Sequence, residues 1–184
     1  MCIRDRGDKY IRGEPYFDVQ PVLTSVIPAK SLVATSHEAI VEQVKKANTK
    51  IENGDFSGAI ASAYTLLEGL LKLLLLETGA PYKENEGDIR NLYKALREHL
   101  HLDPSKADIN THLRPILDGF QKIIAGLYEV ANKASDRHAR KYTPAGHHAK
   151  LAVNSAFALC EFLIESRKYQ EERSHRSNNT ENPA

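Results

Sequence analysis

The pattern of apolar and polar positions predicts helices over most of the chain, beginning with an antiparallel pair. After Ser36, a candidate N-cap, apolar residues recur at spacings of 4, 3 and 4 and share one helical face: Ile40, Val44, Ala47 and Ile51. Asn53-Gly54 predicts the end of this helix, and Asp55 directly after it is the candidate N-cap of a second one. A connection this short makes neighbouring helices run antiparallel.

The second predicted helix carries a wide apolar stripe: Ile60, Ala63, Tyr64, Leu67, Leu70, Leu71, Leu74 and Leu75. Glu68 and Lys72 interrupt its most apolar part, Leu66–Leu76, which is far shorter than the roughly 20 apolar residues of a membrane span. We therefore expect a core helix and no membrane association, with the excess width of the stripe available for a dimer interface. Gly79 and Pro81 predict its end.

Caps and periodicity predict three further helices. Asp88 is the candidate N-cap of the third, with inward positions Ile89, Leu92, Tyr93, Leu96 and Leu100. Asp103-Pro104 predicts the start of a fourth, with inward positions Ile109, Leu113, Ile116, Phe120, Ile123, Leu127 and Val130. Pro115 should break that helix near Arg114. A polar connection over 131–146 precedes the last helix. The inward side of that helix should carry seven residues: Leu151, Ala152, Ser155, Ala156, Leu159, Cys160 and Leu163.

The chain divides into three parts on this pattern. Residues 1–35, rich in proline and without helical periodicity, are expected to form an extended lead-in. Residues 1–6 resemble translated sequencing-adapter read-through, and the predicted fold does not depend on them. Residues 36–170 form the helical domain, and the polar residues 171–184 are expected to be a disordered tail. The sequence thus predicts an all-α antiparallel bundle of about five helices.

Composition narrows the class of protein. The 184 residues are one domain's worth of chain, and 25 Lys and Arg against 24 Asp and Glu give a formal charge of +1, so no global field draws the protein to a polyanion. Two cysteines cannot build a disulfide framework, and Cys160 on the last helix is expected to be a packed thiol. With no secretory signal at the start, we expect a cytoplasmic protein.

The connection before the last helix concentrates the polar chemistry of the chain. Over 131–150 the single acid Asp136 stands among five cations, Lys133, Arg137, Arg140, Lys141 and Lys150, for a local charge of +4. His138, His147 and His148 lie in the same stretch. Such a patch attracts phosphate, and an imidazole there could exchange protons with RNA during cleavage without a metal or other cofactor. The adjacent His147 and His148 diverge on a helix and lack ligand partners, so no metal site is expected.

Two plainer interpretations of this connection stay open. A basic loop on a bundle can be a solvated surface or can compensate the charge of helix C-termini. Alternatively, Asn132 and Asp136 could cap helix ends while His138 is hydrogen-bonded between helices.

Two separated segments give the chain a family resemblance. The run from Gly54 to Glu68, GDFSGAIASAYTLLE, resembles the opening hairpin of the abortive-infection C-terminal domain, which belongs to the HEPN superfamily of helical bundles. Asn132-Lys133-Ala134-Ser135-Asp136-Arg137-His138 is similar to that family's Arg-Asn-Lys-x-Gly-Asp-x-His stretch. His148–Ala156 resembles its closing helix, and the likeness extends over roughly Ser36 to Ser166.

The resemblance implies a HEPN-like fold and a metal-independent endoribonuclease that works as a homodimer. It implies His138 as the acid/base, Asn132 and Asp136 as its polar neighbours, and Lys133 as a phosphate ligand. The basic residues that follow, Arg137, Arg140 and Lys141, would add to RNA binding. This sequence has Ala131 where the family motif begins with arginine, so the guanidinium fork that would hold phosphate bidentately is absent there.

The sequence therefore supports two functional interpretations. One is a ribonuclease effector, a toxin of phage defence, that cleaves RNA with His138. The other is a non-catalytic module that binds RNA or a protein partner, such as an antitoxin or a sensor, through the basic connection.

Overall fold

A computed structural model describes residues 38–134 and 142–180 of the chain. Over those residues there are five α-helices and no strand, which confirms the predicted all-α bundle. The helices are α1 (Glu38–Glu52), α2 (Phe56–Thr78), α3 (Ile89–His99), α4 (Arg114–Ala134) and α5 (Gly146–Thr180). The predicted lead-in, residues 1–35, and the candidate N-cap Ser36 lie outside the described residues.

Two of the predicted N-caps bond the helix ends that they precede. The Asp55 carboxylate accepts the backbone N–H of Gly58 at 2.9 Å, and the Asp88 carboxylate accepts that of Arg90 at 2.9 Å. A side chain at Gly58 would collide with the Asp55 carboxylate, because an added Cβ would lie 2.0 Å from Oδ2. Gly79 ends α2 in the left-handed conformation, with φ 67°, as predicted.

Helix α2 is the centre of the bundle and packs against all four other helices. Its buried positions include every leucine of the predicted stripe. By length and composition α2 could also cross a membrane, but 56% of that apolar window is buried inside the bundle. Its hydrophobicity is therefore explained by its place in the core, as the sequence predicted.

The segment before α4 differs from the prediction. Residues 104–113 form turns and not a first helical segment, and α4 begins at Arg114, where Pro115 predicted the break. Short polar side chains hold these turns: Asp103 accepts the backbone N–H of Ser105 at 3.0 Å, and Asn110 accepts that of His112 at 2.9 Å. Such local bonds compete with helix formation, which is why the helical spacing before Pro115 was misleading.

The inward face of α4 was predicted only in part: Leu127 is buried as expected, and Phe120 and Val130 are partly buried against the core. Three residues expected in the core are exposed: Leu113 by 38%, Ile116 by 56% and Ile123 by 36%. The buried residues are Leu117, Ile124, Leu127, Ala131 and Ala134. Helix α4 carries two apolar stripes, and the stripe that ends in two small alanines is the one that packs inward. Periodicity alone cannot tell which of two stripes faces the core.

Helix α5 buries most of the predicted inward face, although Ser155 is only partly buried. Leu151 is 69% exposed, because Ala149, Ala152 and Val153 take the buried side of this first stretch. Cys160 is fully buried as expected, and desolvation raises the pKa of its thiol. The helix continues to Thr180, past the predicted boundary at residue 171.

Candidate functional site

The helix directions bring the candidate residues to one end of the bundle. A Cβ on Gly146 would lie 3.0 Å from the Phe56 ring, so α5 begins beside the start of α2. The rings of Tyr64 on α2 and Tyr128 on α4 are 6.4 Å apart, whereas Phe120, earlier on α4, lies 5.0 Å from Phe162 far along α5. Helix α4 therefore runs toward this same end. We call this region, with the last turns of α4 and the first turns of α2 and α5, the α4 end.

The opposite end of the bundle, where α3 stops, we call the α3 end. There the amide of Gln170 on α5 donates to the carbonyl of Leu100 at 3.3 Å. A polar groove of about 220 Å³ lies beside this contact, between Thr78, His99 and Arg167. No residue that the sequence singled out for catalysis or RNA binding lines it.

Asn132 and Lys133 lie in the last turn of α4 and not in a loop, because the helix continues to Ala134. Both side chains are exposed. Lys133 Nζ is 3.0 Å from a carboxylate oxygen of Glu129 one turn earlier, with 57% of the lysine side chain still exposed. The position before them, Ala131, is 9% exposed and faces the core. Asn132 is therefore inside a helix and does not cap one.

The other five candidates fall on the connection after α4. Asp136, Arg137, His138, Arg140 and Lys141 lie outside the described residues. The structure locates the two points that this connection joins, Ala134 at the end of α4 and Tyr142 before α5, and both belong to the α4 end.

A hydrogen-bonded group of aromatic side chains stands where the described chain resumes. The Nδ1 atom of His148 is 2.6 Å from the Tyr142 hydroxyl and accepts the backbone N–H of Ala145 at 3.2 Å. A backbone N–H can only donate, so Nδ1 is an acceptor and the neutral ring carries its proton on Nε2. The His147 ring stands edge-on to His148, with centroids 4.0 Å apart. Both histidines are exposed.

Arg90, which sequence reasoning did not single out, lies against α4 one turn before Asn132. Its guanidinium carbon is 3.7 Å from the centroid of the Tyr128 ring. Its Nε and Nη2 atoms bond both oxygens of Asp88, the shortest contact being 2.6 Å. The hydrogen bond to Arg90 lowers the pKa of the Asp88 carboxyl, and the same bond raises the pKa of Arg90. The pair is therefore fully ionised at neutral pH.

Tyr64 closes this cluster from the side of α2. Its hydroxyl donates to the carbonyl of Gly87 at 2.6 Å and so fixes the loop that precedes Asp88. Burial raises the pKa of Tyr64 to about 12, which keeps the phenol protonated and able to donate. The one sequence signal for the cluster was that Tyr128 precedes Asn132 by four residues and must share its helix face.

Comparison with known proteins identifies one family. The family model for the Abi_C HEPN-like domain matches residues 38–167, which takes in α1 to α4, the connection between α4 and α5, and α5 as far as Arg167. No curated protein and no solved structure matches the chain. Among residues 38–134 and 142–180, no three His, Cys, Asp or Glu side chains are grouped so that they could hold a metal ion.

Proposed function

The chain belongs to the HEPN-like family of abortive-infection C-terminal domains, and on that premise we propose that it is a metal-independent endoribonuclease of phage defence. The family itself supports an abortive-infection type of function. The observation that carries the finer proposal is the run from Asn132 to His138, since the last turn of α4 presents Asn132 and Lys133 to solvent just before the candidate acid/base. We place the protein in the cytoplasm, where its RNA substrate would be.

The proposed reaction uses the RNA's own 2′-hydroxyl as nucleophile. The 2′-oxygen attacks the adjacent phosphorus and the bond from phosphorus to the 5′-oxygen breaks, which leaves a 2′,3′-cyclic phosphate and a free 5′-hydroxyl. One proton leaves the 2′-hydroxyl and one is delivered to the departing 5′-oxygen. His138 carries out one of these transfers and water the other, because imidazole can do either near neutral pH. Asn132 and Asp136 are its polar neighbours.

Cations of the same segment would hold the phosphate. Lys133 has room for this role because more than half of its side chain is exposed beside Glu129. Arg137, Arg140 and Lys141 would add charge along the RNA strand, and such cations stabilise the extra negative charge of the transition state. No cofactor takes part in this scheme.

We further propose that the active form is a homodimer and that α4 supplies its interface. Leu113, just before α4, and Ile116 and Ile123 on it recur at spacings of 3 and 7 on its outward side, where Ile116 is 56% exposed. This is the spacing of a helix that packs against another helix, and a two-fold axis would pair the stripe with itself. The double variant Ile116→Glu, Ile123→Glu should shift the mass measured by light scattering from dimer to monomer. A wild-type protein that is already monomeric would contradict the proposal.

A second candidate function is a binding module without catalysis, and Ala131 favours it. At this position a methyl group faces the core with 9% exposure, so no guanidinium reaches the substrate from here. In this alternative the basic segment binds RNA or a protein partner, an antitoxin or a sensor, and His138 is dispensable.

The test is RNA cleavage by the purified protein in the presence of a chelator, with wild type beside His138→Ala. We expect cleavage products that end in a 2′,3′-cyclic phosphate, and their loss in the variant by about 100-fold or more, the usual range for removing a general acid or base. His175→Ala, an exposed histidine late in α5, is the matched control and should cleave like wild type. RNA binding without cleavage by the wild-type dimer would instead favour the binding module.

A further inference from the structure

Arg90 is the one arginine that the described structure fixes against the α4 end. Its guanidinium is stacked on Tyr128, and Tyr128 and Asn132 are four residues apart on α4. Residues at this spacing are neighbours on a helix surface, with about 5–6 Å between their Cβ atoms. The positive charge therefore lies within reach of a ligand that contacts Asn132.

The geometry points to Arg90 as a phosphate-binding residue that positions RNA beside Asn132 in the last turns of α4, in place of an arginine at position 131. This inference rests on the proposed RNA substrate. It adds a residue that lies 38 positions before Tyr128 in the sequence and belongs to a different helix.

The orientation of the guanidinium leaves one edge for a ligand. Asp88 occupies Nε and Nη2, and no described residue accepts a hydrogen bond from Nη1. The side chain of Arg90 is 44% exposed, so a phosphate oxygen can approach this edge from solvent. Guanidinium suits the task because its donors lie in a rigid plane that matches the oxygens of a phosphate.

The surroundings hold the guanidinium in place before any ligand binds. Asp88 fixes one edge and Tyr128 supports one face, while Tyr64 ties the loop next to Asp88 to α2. A side chain that is already ordered loses less conformational entropy when it binds a ligand. The Asp88 carboxylate also repels a bound phosphate. Removing its charge should therefore strengthen RNA binding if Arg90 binds phosphate, but not if the Asp88–Arg90 pair is purely structural.

The experiment measures binding of a single-stranded RNA oligonucleotide at several salt concentrations, in a His138→Ala background so that no cleavage interferes. Arg90→Ala should weaken binding about tenfold, as expected for one charge-assisted hydrogen bond. The slope of log affinity against log salt should fall by about 0.7, the value for one phosphate contact on a single strand. Arg90→Lys should restore the salt slope and only part of the affinity, because lysine keeps the charge without the planar fork.

Asp88→Asn separates ligand binding from a structural role. Asparagine is as good an N-cap as aspartate, so the start of α3 is kept, but the competing negative charge is gone. RNA should bind more tightly to this variant than to the parent. If Arg90 only joins α3 to α4, Asp88→Asn will leave the affinity unchanged or lower it, and that result overturns the inference.

Arg176→Ala is the matched control, because Arg176 also faces a carboxylate, that of Glu172 at 3.8 Å, but lies late in α5 toward the α3 end. Its RNA affinity and salt slope should equal those of the parent. If Arg90→Ala binds RNA as tightly as the parent, and circular dichroism shows both to be folded, the role of Arg90 is contradicted and the ribonuclease proposal stands. If RNA binding depends on Arg90 but the wild-type protein does not cleave RNA, the inference is supported and the ribonuclease proposal is contradicted.

Discussion

The two ends of the bundle are both polar, but they use their polar side chains differently. At the α3 end, Asp103 is only 6% exposed and accepts bonds from the backbone N–H and the hydroxyl of Ser105 at 3.0 and 2.8 Å, with Arg97 at 3.6 Å. At the α4 end, Asn132 and Lys133 are exposed on the last turn of a helix. Polar groups at the first end complete the fold, whereas those at the second remain available to a ligand.

The largest effect that separates the two ends should come from removing the buried carboxylate. Asp103→Ala leaves the Ser105 N–H and the nearby Arg97 without their acceptor, and we expect unfolding in urea to show a loss of about 2 kcal/mol. RNA binding should not change. Asn132→Ala should do the reverse, with stability kept within about 0.5 kcal/mol and RNA cleavage reduced. Equal stability losses at both positions would remove the distinction.

Acid should weaken the α3 end through the same carboxylate. The backbone N–H of Ser105, its hydroxyl and Arg97 hold the pKa of Asp103 below its usual value. A lowered pKa in the folded state adds stability above the unfolded value of about 3.9, and this stability is lost as the pH falls through the folded pKa. The free energy of unfolding should therefore drop below about pH 4 in the wild type, and less steeply in Asp103→Asn. Parallel curves for the two proteins would show that Asp103 does not titrate with folding.

How far the sequence predicts each region depends on how local its causes are. The hairpin of α1 and α2 was predicted well because Gly54, Asp55 and Gly79 act on their own neighbours. The inward face of α4 was not, since Ile116 and Leu117 each belong to an apolar stripe of helical spacing. Only packing against α2 selects between them.

The candidate site divides in the same way. Asn132 and Lys133 were singled out as candidates from their own sequence motif, although their place inside α4 was not predicted. Arg90 and Tyr128 are 38 residues apart, and their contact exists because α3 packs beside α4. No local sequence pattern predicts this contact, so it can be identified only from the folded structure.

A smaller effect is expected for Lys133. Its ion pair with Glu129 is exposed, so Lys133→Ala should change stability by no more than about 0.5 kcal/mol. If it contacts one phosphate, the salt slope of RNA binding should fall by about 0.7. Lys46→Ala is the matched control, because Lys46 forms an equivalent exposed pair with Glu42 at 2.7 Å on α1. A slope that Lys46→Ala lowers equally would show a general charge effect and no contact at the α4 end.

The smallest effect concerns a single proton at the α4 end. One ring nitrogen of His148 bonds within the fold, and the other is open to a ligand. Its Nδ1 is bonded to two other groups of the protein, the Tyr142 hydroxyl at 2.6 Å and the Ala145 N–H at 3.2 Å. Its Nε2–H lies on the other side of an exposed ring. Nitrogen-detected correlation spectra of the neutral ring should show the proton on Nε2, and Tyr142→Phe should keep it there because the Ala145 N–H still donates. A proton found mainly on Nδ1 would mean that this bond does not form, and His148 would then offer solvent an acceptor instead of a donor.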